Sequence, residues 1–389
     1  MPQMSISTLV ISDLDRFIKI KDCWDRDLKD HVDDPFLSGC MIEEQWKMGL
    51  KLGWQPLLFV FLAGDRIVGF ALLILKARFG LVYASSFDQY MSPDFFSDDY
   101  REVCIDKMVD FLFGHLNCES ADITFEDGSA NQRVLEEVCG KRGFKFTRSS
   151  QEGQAIIPVN KSLELFRGSL DRRDRKEFRR FGRKLDKLGK WRISCFDVNR
   201  SSVEKVLAIE KFSWKIDLHG KDKAIKDWGI EIALRGAQRG SQGKRVFESE
   251  VCFLEVNNEP IAYVLVLKQN QTVFFAKTSY DQRFKAVSPG KFLMNDLIEQ
   301  IFKENSAKKI DFYSNLPVTR VWKPLVKQRV TIKIQKRSFL SKFVFLVFDN
   351  QISSHILKFI NRLKWEKKSL IRVVSKLTTV TARPYFICK

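Results

Sequence analysis

The chain predicts a mixed α/β fold made of two tandem copies of one strand-and-helix unit, and three observations carry that prediction. First, one passage is written twice. It begins with the apolar run Leu57–Ala63, Gly64-Asp65-Arg66 and Ile67-Val68-Gly69-Phe70. It continues through Leu81-Val82-Tyr83, Ser86-Phe87-Asp88-Gln89, Ser92-Pro93 and Ala121-Asp122-Ile123-Thr124-Phe125. The second copy has Phe253-Leu254-Glu255-Val256, Asn257-Asn258 and Pro260-Ile261-Ala262-Tyr263, then Val273-Phe274-Phe275, Ser279-Tyr280-Asp281-Gln282, Ser288-Pro289-Gly290-Lys291 and Lys309-Ile310-Asp311-Phe312-Tyr313; Asp281 follows Asp88 by 193 residues. Second, 389 residues of ordinary globular composition, 44% hydrophobic, exceed what one core holds. Third, strand-like runs joined by short turns alternate with one-sided helical runs.

The elements follow in order. Residues 13–31 and 41–52 read as helices separated by Pro35. Leu57–Ala63 and Arg66–Lys76 form a hairpin on a Gly-Asp turn. Residues 79–87 give a third strand. Tyr100–Leu116 carries Val103, Met108, Phe111, Leu112 and Leu116 on one side of a helix. A strand at 121–125, a helix at 130–141 and a strand near 144–147 close the first unit. The boundary falls at 151–165. In Asp171–Arg192, Phe178, Phe181, Leu185 and Leu188 form one apolar stripe, and Gly189 ends the helix. Helices at 201–217 and 224–239 precede the second copy. The expected domains are 1–155 without a donor site, 156–337 with one, and a basic amphipathic tail from 338.

Charge is unevenly spread. Residues 1–170 hold 19 basic and 26 acidic side chains, residues 171–192 hold 11 and 4, and residues 331–389 hold 13 and 2, within a net charge of +18. A polyanionic partner is therefore expected on the second half. The eight cysteines form no CxxC pair and the four histidines are scattered. That pattern suits a reducing cytosol, no disulfide framework and no metal site. No basic region leads into an apolar run at the start, and no apolar stretch reaches the ~20 residues of a membrane span, so a cytoplasmic protein is expected. The tail, with Phe343, Phe345, Leu346, Ile356, Leu357, Phe359 and Trp365 among lysines, fits peripheral contact with an anionic membrane.

Only the second copy carries an anion-binding pattern. Ser288 as N-cap, Pro289 at the first turn, Gly290 for close approach and Lys291 as a point charge suit phosphate, with Arg283 and Lys285 in the preceding loop. In the first copy Ser92-Pro93 runs into Asp94. Taken alone, Ser-Pro-Gly is merely a well-capped helix start; the contrast between copies favours function.

From Arg173 to Trp322 the second half resembles the CelD/BcsL-type acyltransferases of the GNAT superfamily, distant relatives of the Fem-type peptidoglycan aminoacyltransferases. The matching stretches are Arg173–Gly189, Trp214, Phe253–Lys268, Tyr280-Asp281-x-x-Phe284 with Ser288–Lys291, Asp311-Phe312 and Arg320-x-Trp322; the first half matches through Asp34-Pro35-Phe36-Leu37-Ser38 and Val68-Gly69. The resemblance implies two tandem GNAT folds and an acyl donor, acetyl-CoA or another acyl-CoA, on the second. Its pantetheine arm would lie between parting strands at 272–280 and 309–313, and its diphosphate on Arg283–Lys291. The usual phosphate loop, Q/R-x-x-G-x-G/A, is met here by Gly290 alone.

Transfer to an amine needs a base, an oxyanion site and an acid for the thiolate. Asp281 and Asp311 are candidate bases, against the simpler reading of turn residues repeated as Asp88 and Asp122. Tyr280 and Tyr313 are candidate acids, set against Phe87 and, approximately, Glu126. Trp214, Trp228 and Trp322 are either an acceptor pocket or core, and Arg173 and Arg180 are candidate substrate contacts. The expected acceptor is an amino sugar or another envelope or polysaccharide precursor. Two other readings stand: an aminoacyltransferase gripping tRNA through 171–192, and a non-catalytic module that binds polyanions.

Overall fold

The computed structural model describes residues 5–29, 31–78, 81–87, 92–216, 228–242 and 246–336; the tail, the Trp228 side chain and Asp88 lie outside the described residues. Strand β1 (Ile6–Ile11) opens the chain, followed by helices α1 (Leu14–Leu28) and α2 (Gly39–Lys51). Next come β2 (Gln55–Ala63), β3 (Arg66–Arg78), β4 (Leu81–Ser86) and β5 (Asp94–Phe95), then α3 (Asp98–Asp110), β6 (Ser120–Glu126), α4 (Ala130–Lys141) and β7 (Lys145–Pro158). Helix α5 (Leu163–Ser169) follows, and the basic region forms α6 (Arg172–Leu188). After β8 (Trp191–Asp197) the chain builds α7 (Arg200–Glu210), α8 (Trp228–Gln242), β9 (Glu248–Val256), β10 (Glu259–Gln269), β11 (Thr272–Tyr280) and α9 (Pro289–Glu304). Strands β12 (Lys309–Asp311) and β13 (Leu325–Gln335) complete it.

Two compact units result, but their membership differs from the expected cuts at 155 and 337. The first takes residues to 31, 46–151 and from 328; the second takes 32–45 and 152–327. Residues 32–45 join the second because Asp34 accepts the Tyr313 hydroxyl and Glu43 and Glu44 pair with Arg239. Residues from 328 join the first because Arg329–Gln335 pair antiparallel with Glu126–Ser120. Pairing over such separation leaves no local trace. Strands β1, β5 and β8 were also not expected, and the helix expected over 201–217 ends at Glu210.

In the first unit the sheet order is β1-β2-β3-β4-β6-β13, antiparallel except for β4 beside β6. Leu57, Phe59 and Phe61 of β2 meet Cys104, Ile105 and Met108 of α3 in its core. In the second the order is β7-β12-β11-β10-β9-β8, antiparallel except for β11 beside β12. The stripe Phe178, Phe181 and Leu185 of α6 and Leu293, Leu297 and Ile298 of α9 cover Ala262, Val264 and Val266 of β10. Of the stripe predicted from spacing, Phe178, Phe181 and Leu185 are a core face, while Leu188 is 44% exposed.

The duplication is visible in the register. Ala63 faces Arg66 and the β2–β3 ladder skips Val68; Val256 faces Glu259 and the β9–β10 ladder skips Ile261. The same bulge recurs 193 residues on. Farther along the equivalence drifts. Leu73 faces Ser86 while its counterpart Val266 faces Phe275, an offset of 189. Gly69 and Phe70 then pair with Phe95 and Asp94, whereas Ala262 and Tyr263 pair with Tyr280 and Ser279. The counterpart of Tyr280 is Phe95, not Phe87, and that of Ser279 is Asp94. On the parallel strands Asp122 and Asp311 do correspond, which makes Thr124, not Glu126, the counterpart of Tyr313. Ser92-Pro93 leads into β5 and α3 starts only at Asp98, so Asp94 is a strand residue and not a repelling charge at a helix start.

Against the expectation from cysteine spacing, Cys195 and Cys252 are joined by a disulfide. They stand directly opposite each other on β8 and β9, a pairing no sequence spacing reveals. Among the described residues one trio of metal-type donors gathers, Cys195, Glu250 and Cys252, and two of its members are the bonded sulfurs. Burial pushes the thiols of Cys104, Cys118 and Cys139 up to about 12, so they are packing groups. No helix among the described residues is long and apolar enough to cross a membrane.

Candidate functional site

Strands β11 and β12 part company early. Their parallel pairing covers Thr272 with Lys309 through Phe274 with Asp311, while β11 continues to Tyr280. At the same place the β10–β11 ladder jumps from Val266–Phe275 to Leu265–Lys277, leaving Ala276 as a bulge. A bulge bends its strand and turns it from its neighbour. Asp281 donates its N–H to Ile261 at 2.9 Å, so by alternation the main-chain groups of Tyr280 and Thr278 face the side that β12 has left. Phe212 accepts from the Gln282 N–H at 2.8 Å, and Ser213 bridges to Asp281, which bounds the opening at its far end. Among the described residues the result is a strand edge over 275–280 that β12 does not pair.

Beyond that edge a 3₁₀ turn, Gln282–Val287, leads to α9. Ser288 is not the extended cap expected: it is left-handed, with φ 46° and ψ 57°, and its hydroxyl makes no capping bond. Pro289 begins the helix as read from sequence. Gly290 is buried, and a Cβ there would lie 3.5 Å from Tyr280 Cδ1, so the Tyr280 ring rests on the helix start. Lys291 does not stand free. Its Nζ is 2.7 Å from Glu177 Oε2 and 3.7 Å from Asp174 Oδ1, and this bond holds the Glu177 carboxyl below its ordinary range. Arg283 is likewise engaged, 2.9 Å from Glu259 and bonded to Asp281, with its guanidinium over the Phe212 ring. Lys285 is exposed in the same loop, as Arg283 is, and no ion pair is seen for it among the described residues. Helix α6 runs alongside: Lys184 donates to the Ala286 carbonyl at 2.8 Å, and Gly182 packs on Phe292.

The four candidate catalytic residues separate into two kinds. Asp281 and Asp311 are buried and each accepts a main-chain N–H two residues on, from Arg283 at 2.9 Å and Tyr313 at 2.8 Å. Gln154 adds a second bond to Asp311 at 2.6 Å. Each carboxylate thus holds a turn, the feature that the simpler of the two sequence readings expects. Tyr313 is left-handed, φ 57°, and buried among Phe36 and Phe274, with its hydroxyl donated to Asp34. Burial first, then the Asp34 charge, push its phenol well above the usual range. Tyr280 alone of the four is partly open beside the parted strands.

Trp322 packs in the core. It is buried between Phe178 and Phe312 and donates to Asn295 at 3.1 Å. Trp214 is half-buried beside the Ser213 bridge, Arg173 is exposed, and Arg180 is exposed and 3.3 Å from Glu177.

Sequence reasoning missed a polar group on the opposite face of β11. Glu210, at the end of α7, is 2% exposed and accepts from Tyr263 at 2.6 Å and from Lys215 at 2.9 Å. Its second oxygen has no hydrogen-bond partner among the described residues, nor have the buried hydroxyls of Ser213 and Ser279. A glutamate closing an apolar helix stripe was the available signal.

Residues 172–316 match the acetyltransferase (GNAT) domain family. No curated protein sequence matches the chain. The crystal structure of FemX superposes with a TM-score of 0.56 at 12% identity, covering 88% of this chain and 100% of that one. A conserved protein of unknown function from Bacteroides thetaiotaomicron gives 0.51 at 12% identity, over 85% and 100%. At such identities the likeness is one of fold: a mixed α/β architecture with GNAT-like units, as the sequence predicted.

Proposed function

We propose that the protein is an N-acyltransferase of the CelD/BcsL kind, moving an acyl group from acyl-CoA, acetyl-CoA in the simplest case, to an amino group of an envelope or polysaccharide precursor. One observation carries the reading: the Ala276 bulge coincides with the end of β12 pairing and opens a strand edge beside the start of α9. The residues present fit such a donor. The main-chain groups of Thr278 and Tyr280 suit the amides of a pantetheine arm by strand addition. Lys285, Lys184 and the α9 start suit a diphosphate; Lys291, tied to Glu177, supports the helix start from behind. Tyr280 is the hydroxyl placed to protonate a departing thiolate, and the bulge supplies main-chain donors toward an oxyanion.

Calorimetry with acetyl-CoA tests this. Binding by the wild type, weakened about 10-fold or more by Lys285→Glu, is expected. No binding of acetyl-CoA or CoA at millimolar concentration would sink the donor assignment.

A second reading, an aminoacyl-tRNA donor, is favoured by the cations of α6. Arg172, Lys176, Arg179, Arg183 and Lys187 share one face opposite the apolar stripe, and none meets a carboxylate among the described residues.

A further inference from the structure

The two faces of β11 are used differently. Thr278 and Tyr280 point to the α9 start, where the donor's diphosphate is placed. Ser279 points the other way, on the face shared with its cross-strand partner Tyr263. Ser213 bridges Asp281, two residues past Ser279, and therefore presents its side chain on that same face. Glu210 reaches this face through its bond to the Tyr263 hydroxyl, and its carbonyl accepts the Ser213 N–H at 3.2 Å. Three polar groups, 2%, 0% and 1% exposed for Glu210, Ser213 and Ser279, thus face one patch with an oxygen of each unsatisfied. Leaving such groups bare is unfavourable, and more so for a charged one. A guest that donates hydrogen bonds removes that cost.

We infer that Glu210, Ser213 and Ser279 form the seat of the acceptor's primary amine. The inference rests on the acyl-transfer reading and extends it to the nucleophile. A carboxylate only accepts, and a primary ammonium brings a positive charge and N–H donors; the two hydroxyls suit its remaining N–H groups or hydroxyls beside it, as in an amino alcohol or amino sugar. With the donor on one face of the parted strands, the nucleophile must approach the thioester carbonyl from the other. There the ammonium gives one proton to Glu210. The neutral amine forms the C–N bond as the C–S bond breaks; Tyr280 protonates the thiolate, and the amine's second proton replaces the one Tyr280 gave. The first unit has Asp94 where the second has Ser279 and Phe70 where it has Tyr263, so the trio has no copy there.

The probes are ethanolamine and D-glucosamine, titrated into the full chain with and without acetyl-CoA. Glu210→Gln should weaken amine binding at least 10-fold and lower turnover about 100-fold, with acetyl-CoA affinity unchanged. Lys215→Met breaks the same ion pair but keeps the carboxylate, so it should retain amine binding; if it loses binding as Glu210→Gln does, the role is structural and the seat is overturned. Equal amine binding by wild type and Glu210→Gln also overturns it. A wild type that binds amine through Glu210 but no acetyl-CoA would refute the donor assignment and leave the seat standing.

Discussion

The phenol of Tyr313 donates to the carboxylate of Asp34, 279 residues earlier, and the same Asp34 oxygen accepts the Phe36 N–H at 2.9 Å. One carboxylate thus caps the Pro35–Leu37 turn and fastens it to the end of β12. Tyr313→Phe removes a hydrogen bond from a buried phenol to a half-buried charge and should cost about 1.5–3 kcal/mol, read from urea unfolding. The folded-state phenol titrates above its ordinary value, so its contribution is full below the ordinary tyrosine pKa and is lost as pH rises through the raised one. The wild type should lose stability on that alkaline limb more steeply than Tyr313→Phe; parallel curves would show that the bond contributes nothing.

Lys291 and Glu177 staple α9 to α6, with the Lys291 Nζ lying 5.2 Å over the Phe178 ring. Glu177 has a depressed folded-state pKa, so its contribution is present above the ordinary carboxylate value and disappears as pH falls through the lowered one. Thermal unfolding between pH 5 and roughly pH 2, spanning the ordinary glutamate pKa of about 4.3, should fall more steeply for the wild type than for Glu177→Gln. Lys291→Ala should do the same and also loosen the start of α9.

The Cys195–Cys252 bond closes a loop 57 residues apart in sequence. By the chain-entropy relation such a crosslink is worth about 4 kcal/mol. Paired serine substitution should lower the denaturant midpoint accordingly, and intact mass should rise by about 2 Da on reduction for this bridge. Cys104, Cys118 and Cys139, their thiols pushed up to about 12, should resist alkylation until the chain unfolds.

These residues also show what a sequence can disclose. The hairpins, α3, α9 and the stripe of α6 were legible because periodicity and turn chemistry are local, and the 193-residue repeat survived even to the bulges at Val68 and Ile261. Beyond the hairpins the repeat misleads, because the longer β3–β4 hairpin and the excursion into β5 change the offset strand by strand. Lys291 looked free because its partner lies 114 residues away on another helix. Glu210 looked ordinary because only the sheet brings Tyr263 to it.

The close approach of β5 to β3 gives a sharp packing test. A Cβ on Gly69 would lie 2.7 Å from Phe95 Cδ1 and 3.0 Å from the Asp94 carbonyl oxygen. The obstacle includes backbone, which cannot step aside as a flexible side chain can. Gly69→Ala should cost about 1–3 kcal/mol. The equivalent position in the second unit already carries Ala262 against Tyr280, so Ala262→Gly should instead act only as a small truncation.

The cations of α6 decide between the two donors. The acids of this helix are taken by partners: Asp174 and Glu177 by Lys291, Asp186 by the Trp191 N–H at 2.8 Å, while Asp171, at its N-cap, pairs with Lys323 at 2.6 Å. Among the described residues the stripe from Arg172 to Lys187 is left without counterions of its own. If it grips tRNA, the logarithm of affinity should fall linearly with the logarithm of salt, with a slope of about 0.7–0.9 per phosphate contacted. Changing Lys176, Arg179 and Arg183 together to glutamate should lower that slope by about 2–3, without altering acetyl-CoA binding. A flat salt dependence in the wild type would eliminate the tRNA reading and leave acyl-CoA as the donor.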